Sequence, residues 1–137
     1  MKTFFEKIEI QTKEQFEFVK VDEELQEILR ESKITEGLLL VFCPHTTSAL
    51  ICNEDNPTIH RDFIRVFGRL VPRELDYEHR EEGQANARAH QLSMILGNSL
   101  VLPVREGNLV LGVWQSVFFV ELLGSRKREL LVSILGE

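Results

Sequence analysis

The chain has 137 residues, 43% of them hydrophobic, which suits one domain that can bury a core without disulfide or metal staples. Sixteen Lys and Arg against 22 Asp and Glu leave a formal charge of −6. That balance excludes a protein whose main task is neutralising nucleic-acid phosphates, so any anion site must be a local pocket.

In chain order, Met1 to Lys7 becomes charged too early for a signal peptide, and no apolar run approaches the ~20 residues of a membrane helix. Two cysteines, Cys43 and Cys52, form neither a disulfide framework nor a Cys-rich zinc site. A cytoplasmic protein with no membrane and no nucleic-acid partner is expected. From Thr3 to Gln11 a period of two sets Phe4, Ile8 and Ile10 against Phe5, Lys7 and Glu9 and predicts a half-buried strand; Phe16-Glu17-Phe18 extends the reading to a second. Asp22 can cap a helix with Glu23 and Glu24 in its first turn and Leu25, Ile28 and Leu29 on its apolar face. Leu38 to Cys43 is a continuous apolar run that predicts a strand covered on both faces and stopped at Pro44.

Ala49 to Asn53 predicts another strand, and Glu54-Asp55-Asn56-Pro57 a turn. Ile59, Phe63, Val66, Phe67 and Leu70 then recur at helical spacing, with His60 expected on the solvated side. A further helix over about Ala85 to Leu96 would bury Ala89, Leu92 and Ile95 or Leu96 and end at Gly97. Strands at Leu100 to Val104, Leu109 to Val120 and Glu129 to Leu135 read as a closing β-meander. Without repeats or linkers, this pattern is one α+β domain over residues 1–137, with mixed or antiparallel sheets in a sandwich-like core and two or three helices.

Chemistry concentrates in two polar segments, Pro44-His45-Thr46-Thr47-Ser48 and Tyr77 to His90, which hold three of the four histidines. Imidazole serves near pH 7 as ligand, base or acid, so convergence of His45, His79 and His90 would make an active or metal site. Three imidazoles with an open fourth position suit a catalytic zinc, and Glu82 or Glu54 could orient an imidazole or act as a base. The eleven-residue separation of His79 and His90 matches no standard single-helix ligand pair. Trp114-Gln115 suits either the core or the wall of a ring-shaped ligand. Arg126-Lys127-Arg128 is the densest basic cluster, read as a solvated turn or as a site for a phosphorylated small molecule.

Pro44 to Ala49, Asn53-Glu54, Tyr77-Glu78-His79 with Glu82-Gly83, Ala85 to His90, Leu96 to Ser99, Gly112 to Gln115 and Glu121 resemble, in order and spacing, the YjbQ family, also called UPF0047 or secondary thiamine-phosphate synthase. The resemblance implies a homotrimer with His-bearing segments lining pockets near subunit interfaces. It also implies a weak thiamine-phosphate synthase activity, joining a pyrimidine pyrophosphate to a thiazole phosphate. His45, His79 and His90 match the family's histidines, while Asn53, Glu54, Glu82, Trp114 and Gln115 match other pocket residues. Arg126 is the choice for the leaving pyrophosphate. A divalent metal, zinc or magnesium, would be the cofactor, with no organic group. A metal-dependent hydrolase and a non-catalytic metabolite-binding trimer are the alternative readings.

Overall fold

The computed structural model describes residues 1–137. Its elements run β1 (Lys2–Gln11), β2 (Glu17–Lys20), α1 (Asp22–Ser32), β3 (Gly37–Phe42), β4 (Ser48–Glu54), α2 (Pro57–Leu70), α3 (Gln84–Leu96), β5 (Ser99–Arg105), β6 (Asn108–Leu109), β7 (Gln115–Glu121) and β8 (Lys127–Gly136). Antiparallel pairing sorts the strands into a five-stranded sheet, β1-β8-β3-β5-β6, and a three-stranded one, β2-β7-β4. The fold is α+β, as the composition of its elements predicts.

Alternation builds the layers. The even positions of β1 and β8, with Leu39, Val41, Leu102 and Val104, turn inward and meet Leu50, Val117 and Phe119 of the smaller sheet; Leu25, Ile28 and Leu29 of α1 complete this core. The other face of the smaller sheet carries Ala49, Phe118 and Val120, which pack against Val71 and against Ala89 and Leu92 of α3. The order is therefore large sheet, small sheet, helices. Both faces of β7 are covered within the chain, which accounts for the consecutive apolar residues Val117 to Val120 without a partner molecule.

The strand expected to be covered twice is the one left open. Leu39 and Val41 of β3 are fully buried, but Leu38, Leu40 and Phe42 face outward and are exposed. Register places them beside Leu135 and Val101, and Phe5 lies on the same face, so the large sheet's outer side carries an apolar patch, flanked by Lys7 and Glu9 of β1. The expected strand over Leu109 to Val120 is interrupted: residues 110–114 are irregular, and the chain crosses there from the large sheet to the small one. β8 then returns to the large sheet, so the tail is no meander. Asp22 opens α1 but caps nothing; its Oδ1 accepts the Val117 amide at 2.6 Å, tying the helix to β7. α2 is capped by Asn56, whose side chain accepts the Thr58 amide, yet it buries none of its residues. On α3, Ala89 and Leu92 are buried as expected, while Ile95 faces outward.

Gly37 and Gly136 stand directly opposite each other where β3 meets β8. A Cβ on Gly37 would lie 2.1 Å from the Leu135 carbonyl oxygen, and one on Gly136 1.9 Å from that of Glu36. Only glycine permits so close an approach of two backbones. No helix is long and apolar enough to cross a membrane.

Candidate functional site

β3 ends at Phe42, paired with Leu131 of β8. Two residues earlier in β8, the edge of Glu129 has lost its β3 neighbour, and the His45 ring takes that place: Nε2 lies 3.0 Å from both the amide nitrogen and the carbonyl oxygen of Glu129. One tautomer accepts the amide and turns Nδ1–H outward; the other donates to the carbonyl and leaves Nδ1 as an acceptor. Either way Nδ1 is the atom free for chemistry. His45 lines a cavity of about 590 Å³ with Glu9, Gln11, Lys127, Arg128 and Glu129.

Arg128 is the functional candidate that sequence reasoning passed over in favour of Arg126. Its guanidinium is clamped from behind: Nε donates to Glu121 Oε1 at 2.9 Å, and Nη2 donates to Glu121 Oε2 and to Thr47 Oγ1 at 2.9 Å. Nη1 makes no hydrogen bond in the chain, and Arg128, fixed by these partners, lines the cavity that His45 lines. Arg126 Nε instead folds back to the Leu123 carbonyl at 2.9 Å, outside this cavity. The signal available in sequence was the alternation of β8, which turns Arg128 inward between exposed Lys127 and half-buried Glu129.

Glu121 is fully buried. Burial opposes its charge, but hydrogen bonds from Arg128, the Leu123 amide and Thr12 outweigh that cost and hold the carboxyl below the usual carboxylate range. Behind the same network, burial pushes the Cys43 thiol up, and its Sγ lies 3.1 Å from Ser48 Oγ. Cys43 is a core residue, as its place in an apolar strand implies.

His79 and His90 meet. Their rings are 5.1 Å apart and nearly perpendicular, in a cavity of about 530 Å³ shared with Asp76, Tyr77, Glu78, Gln91 and Met94. Glu81 Oε2 lies 3.2 Å from His79 Nδ1. One turn before His90, buried Asn86 donates to Glu82 Oε2 at 2.8 Å while its own Oδ1 has no partner. α3 is hung on β4 by Ser93 Oγ to the Ser48 carbonyl and by the Gly97 carbonyl to the Leu50 amide. The His90 end of the helix therefore projects toward the end of β4 where Thr47, Glu121 and Arg128 lie.

His45 nevertheless lines a different cavity from His79 and His90, and no group of three His, Cys, Asp or Glu within one chain could hold a metal ion. The expected three-histidine cluster is thus not formed inside a single chain; His45 follows β3 of the large sheet, whereas His79 lies in the segment before α3 and His90 on that helix. Asn53, Glu54, Gln115 and Trp114 gather at the opposite end of β4, where Glu54 pairs with Gln115. Seven residues of strand, roughly 20 Å, separate them from Ser48. Gln115 Oε1 accepts the Gly112 amide at 2.8 Å, and Trp114 is 72% exposed, so it belongs to no core. His60, expected in solvent, stacks on Phe18 at 4.2 Å and meets the edge of Phe118 at 4.8 Å.

Residues 6–137 match the family model described as UPF0047 protein YjbQ-like. A UPF0047 protein of Methanocaldococcus jannaschii is 33% identical over 132 residues, covering 96% of this chain and 94% of its own. YugU of Bacillus subtilis, also a UPF0047 protein, is 34% identical over 130 residues, covering 94% and 97%. Among solved structures, a YbjQ-like protein of unknown function from Sulfolobus solfataricus superposes with a TM-score of 0.94 at 36% identity over 99% of each chain. A conserved hypothetical protein from Thermus thermophilus gives 0.83 at 34% identity over 94% and 98%.

Proposed function

The chain belongs to the YjbQ-like UPF0047 family, and from that premise we propose an enzyme of small phosphorylated molecules whose site is completed between copies of the chain. The observation that carries the reading is the sharing of one cavity by His45 and Arg128, a cation fixed by Glu121 and Thr47. One copy would supply His45, Lys127 and Arg128; the next would supply His79, His90 and Glu82. The contact that joins them is heterologous, between the outer face of the large sheet and the exposed side of α3 that carries Met94 and Ile95. Unlike patches meeting in this way close into a ring when the rotation between copies divides a full turn, and a homotrimer is the closed assembly proposed.

The reaction proposed is weak thiamine-phosphate synthesis. The bond between the pyrimidine methylene and the pyrophosphate oxygen breaks with its electron pair leaving on pyrophosphate, and the thiazole nitrogen forms the new C–N bond. The charge that develops is on the leaving group, so the groups that matter are fixed donors: Arg128 Nη1, Lys127 and Nδ1–H of His45. Glu9 and Glu129 line the same cavity; these two carboxylates would hold a divalent ion such as magnesium, which would supply further positive charge for the leaving pyrophosphate.

A second reading, a metal-dependent hydrolase, is favoured by the His79–His90 pair, since two adjacent imidazoles are zinc-type donors that one more ligand would complete. One experiment separates the two. Pyrophosphate binding is measured by calorimetry with magnesium, and turnover of the two precursors is assayed, in wild type, His45→Ala and His90→Ala. The synthase reading expects His45→Ala to lower turnover about a hundredfold and to weaken pyrophosphate binding, with circular dichroism unchanged. Wild-type-like turnover in that variant sinks it. Stoichiometric zinc lost only in His90→Ala, with no synthesis in any protein, selects the hydrolase.

A further inference from the structure

At the end of β4 remote from His45, two features have no role in the proposed chemistry. The first is a knob: in the irregular segment before β7, Val113 is 90% exposed and Trp114 72% exposed. Indole is among the costliest surfaces to leave in water, and Trp is rarely so open on a single chain. The second is a recess of about 390 Å³ between α2 and the small sheet, where Phe18, Phe63, Ile59, Leu96 and Leu100 form apolar walls around His60. His60 Nε2 is screened from solvent and has no hydrogen-bond partner. An unpaired buried nitrogen of this kind calls for a hydrogen-bond partner.

Knob and recess lie at one end of the molecule, because Gln115, next to Trp114, pairs with Glu54, and Asn53 and Cys52 line the recess. Trp114 is the only tryptophan in the chain. Its side chain is an apolar plate with one N–H donor and no acceptor; the recess is apolar with one unpaired nitrogen, which accepts when the imidazole proton is on Nδ1.

We propose that Trp114 of one copy seats in the Phe18–His60–Phe63 recess of a second copy, with the indole N–H donated to His60 Nε2 after a small turn of that ring. The partner copy thereby completes a site that a single chain leaves unfilled. The inference rests on the assembly reading above, and adds to it the residue that locks neighbouring copies together at the end away from the phosphate cavity.

The lone tryptophan makes the test direct. Light scattering through a dilution series is followed in wild type, Trp114→Phe, Trp114→Ala and His60→Phe, and tryptophan emission alongside it in wild type and His60→Phe, the two chains that keep Trp114. In the assembled protein the emission is expected to lie to the blue and resist iodide, moving red in step with the fall in mass. Trp114→Ala raises the dissociation midpoint about thirtyfold or more, as loss of a buried aromatic anchor does. Trp114→Phe, which keeps the ring and loses the N–H, weakens it less. His60→Phe shifts the emission of assembled protein. An assembled protein whose Trp114 stays water-like and quenchable overturns this proposal and leaves the trimer standing. So does a small heteroaromatic molecule that fills the recess of the assembled protein without changing the emission. A chain monomeric at every concentration overturns both.

Discussion

Glu121 keeps a charge where no water reaches it, and Arg128 is the reason. The native carboxyl is held below its unfolded value by Arg128, the Leu123 amide and Thr12, even though burial pulls the other way. The sign of the linkage follows. A depressed carboxyl contributes stability in full above the unfolded carboxylate range and loses it as pH falls through the native value. Wild type is therefore expected to be level near neutrality and to weaken in acid. Glu121→Gln should cost about 3–5 kcal/mol at neutral pH, because the buried Arg128 is left uncompensated, and its stability should fall less steeply in acid. Urea unfolding at pH 7 and pH 4 checks both; an unchanged acid slope in the variant removes Glu121 from the account. The same substitution frees the guanidinium to swing, so phosphate affinity at the His45 cavity should fall with it.

At the scale of elements, two glycines with opposite fates test the close approach of β3 and β8. Gly37→Ala drives a methyl into the Leu135 carbonyl, in a backbone with φ near +157°, and should cost at least about 2–3 kcal/mol. Gly68 lies in α2 with nothing closer to a new Cβ than Arg88 Nη2 at 4.0 Å, so Gly68→Ala should stabilise by about 0.5–1 kcal/mol. Thermal melts of the two variants should move in opposite directions. These elements also show what periodicity can and cannot reveal. The alternation of β1 and the 3.6-residue rhythm of α1 and α3 were legible because each buries one face against its own chain. β3 and β7 were not separable, since an apolar run looks the same whether its second face meets a helix layer or open solvent. The break at residues 110–114 was hidden because Leu111, Gly112 and Val113 carry no strong stop. His45, His79 and His90 were legible as chemistry from their polar settings. Their division between two cavities was not, because it depends on which sheet each segment joins.

For the whole molecule, the outer face of the large sheet sets the expectation for assembly. Phe5, Leu38, Leu40, Phe42, Val101 and Leu135 form a contiguous exposed apolar surface of the kind monomers rarely keep. Light scattering should report three times the 15.9 kDa chain. Val101→Lys, at an outward position, should lower that mass while leaving the circular dichroism spectrum and the unfolding of the single chain nearly intact. A variant that stays trimeric moves the interface elsewhere.

The position of β8 between β1 and β3 bears on how the chain is made. β1 pairs with a strand more than a hundred residues away, and β3 shares that same partner. As the chain leaves the ribosome, the large sheet has two flanks and no centre until residues 127–136 emerge. Until then both flanks present unpaired, apolar edges, and the loop that must close is nearly the full chain, which makes for slow sheet formation and exposure to misassembly. The smaller sheet needs nothing beyond Glu121, so synthesis would complete it first, as a platform on which the larger sheet closes last.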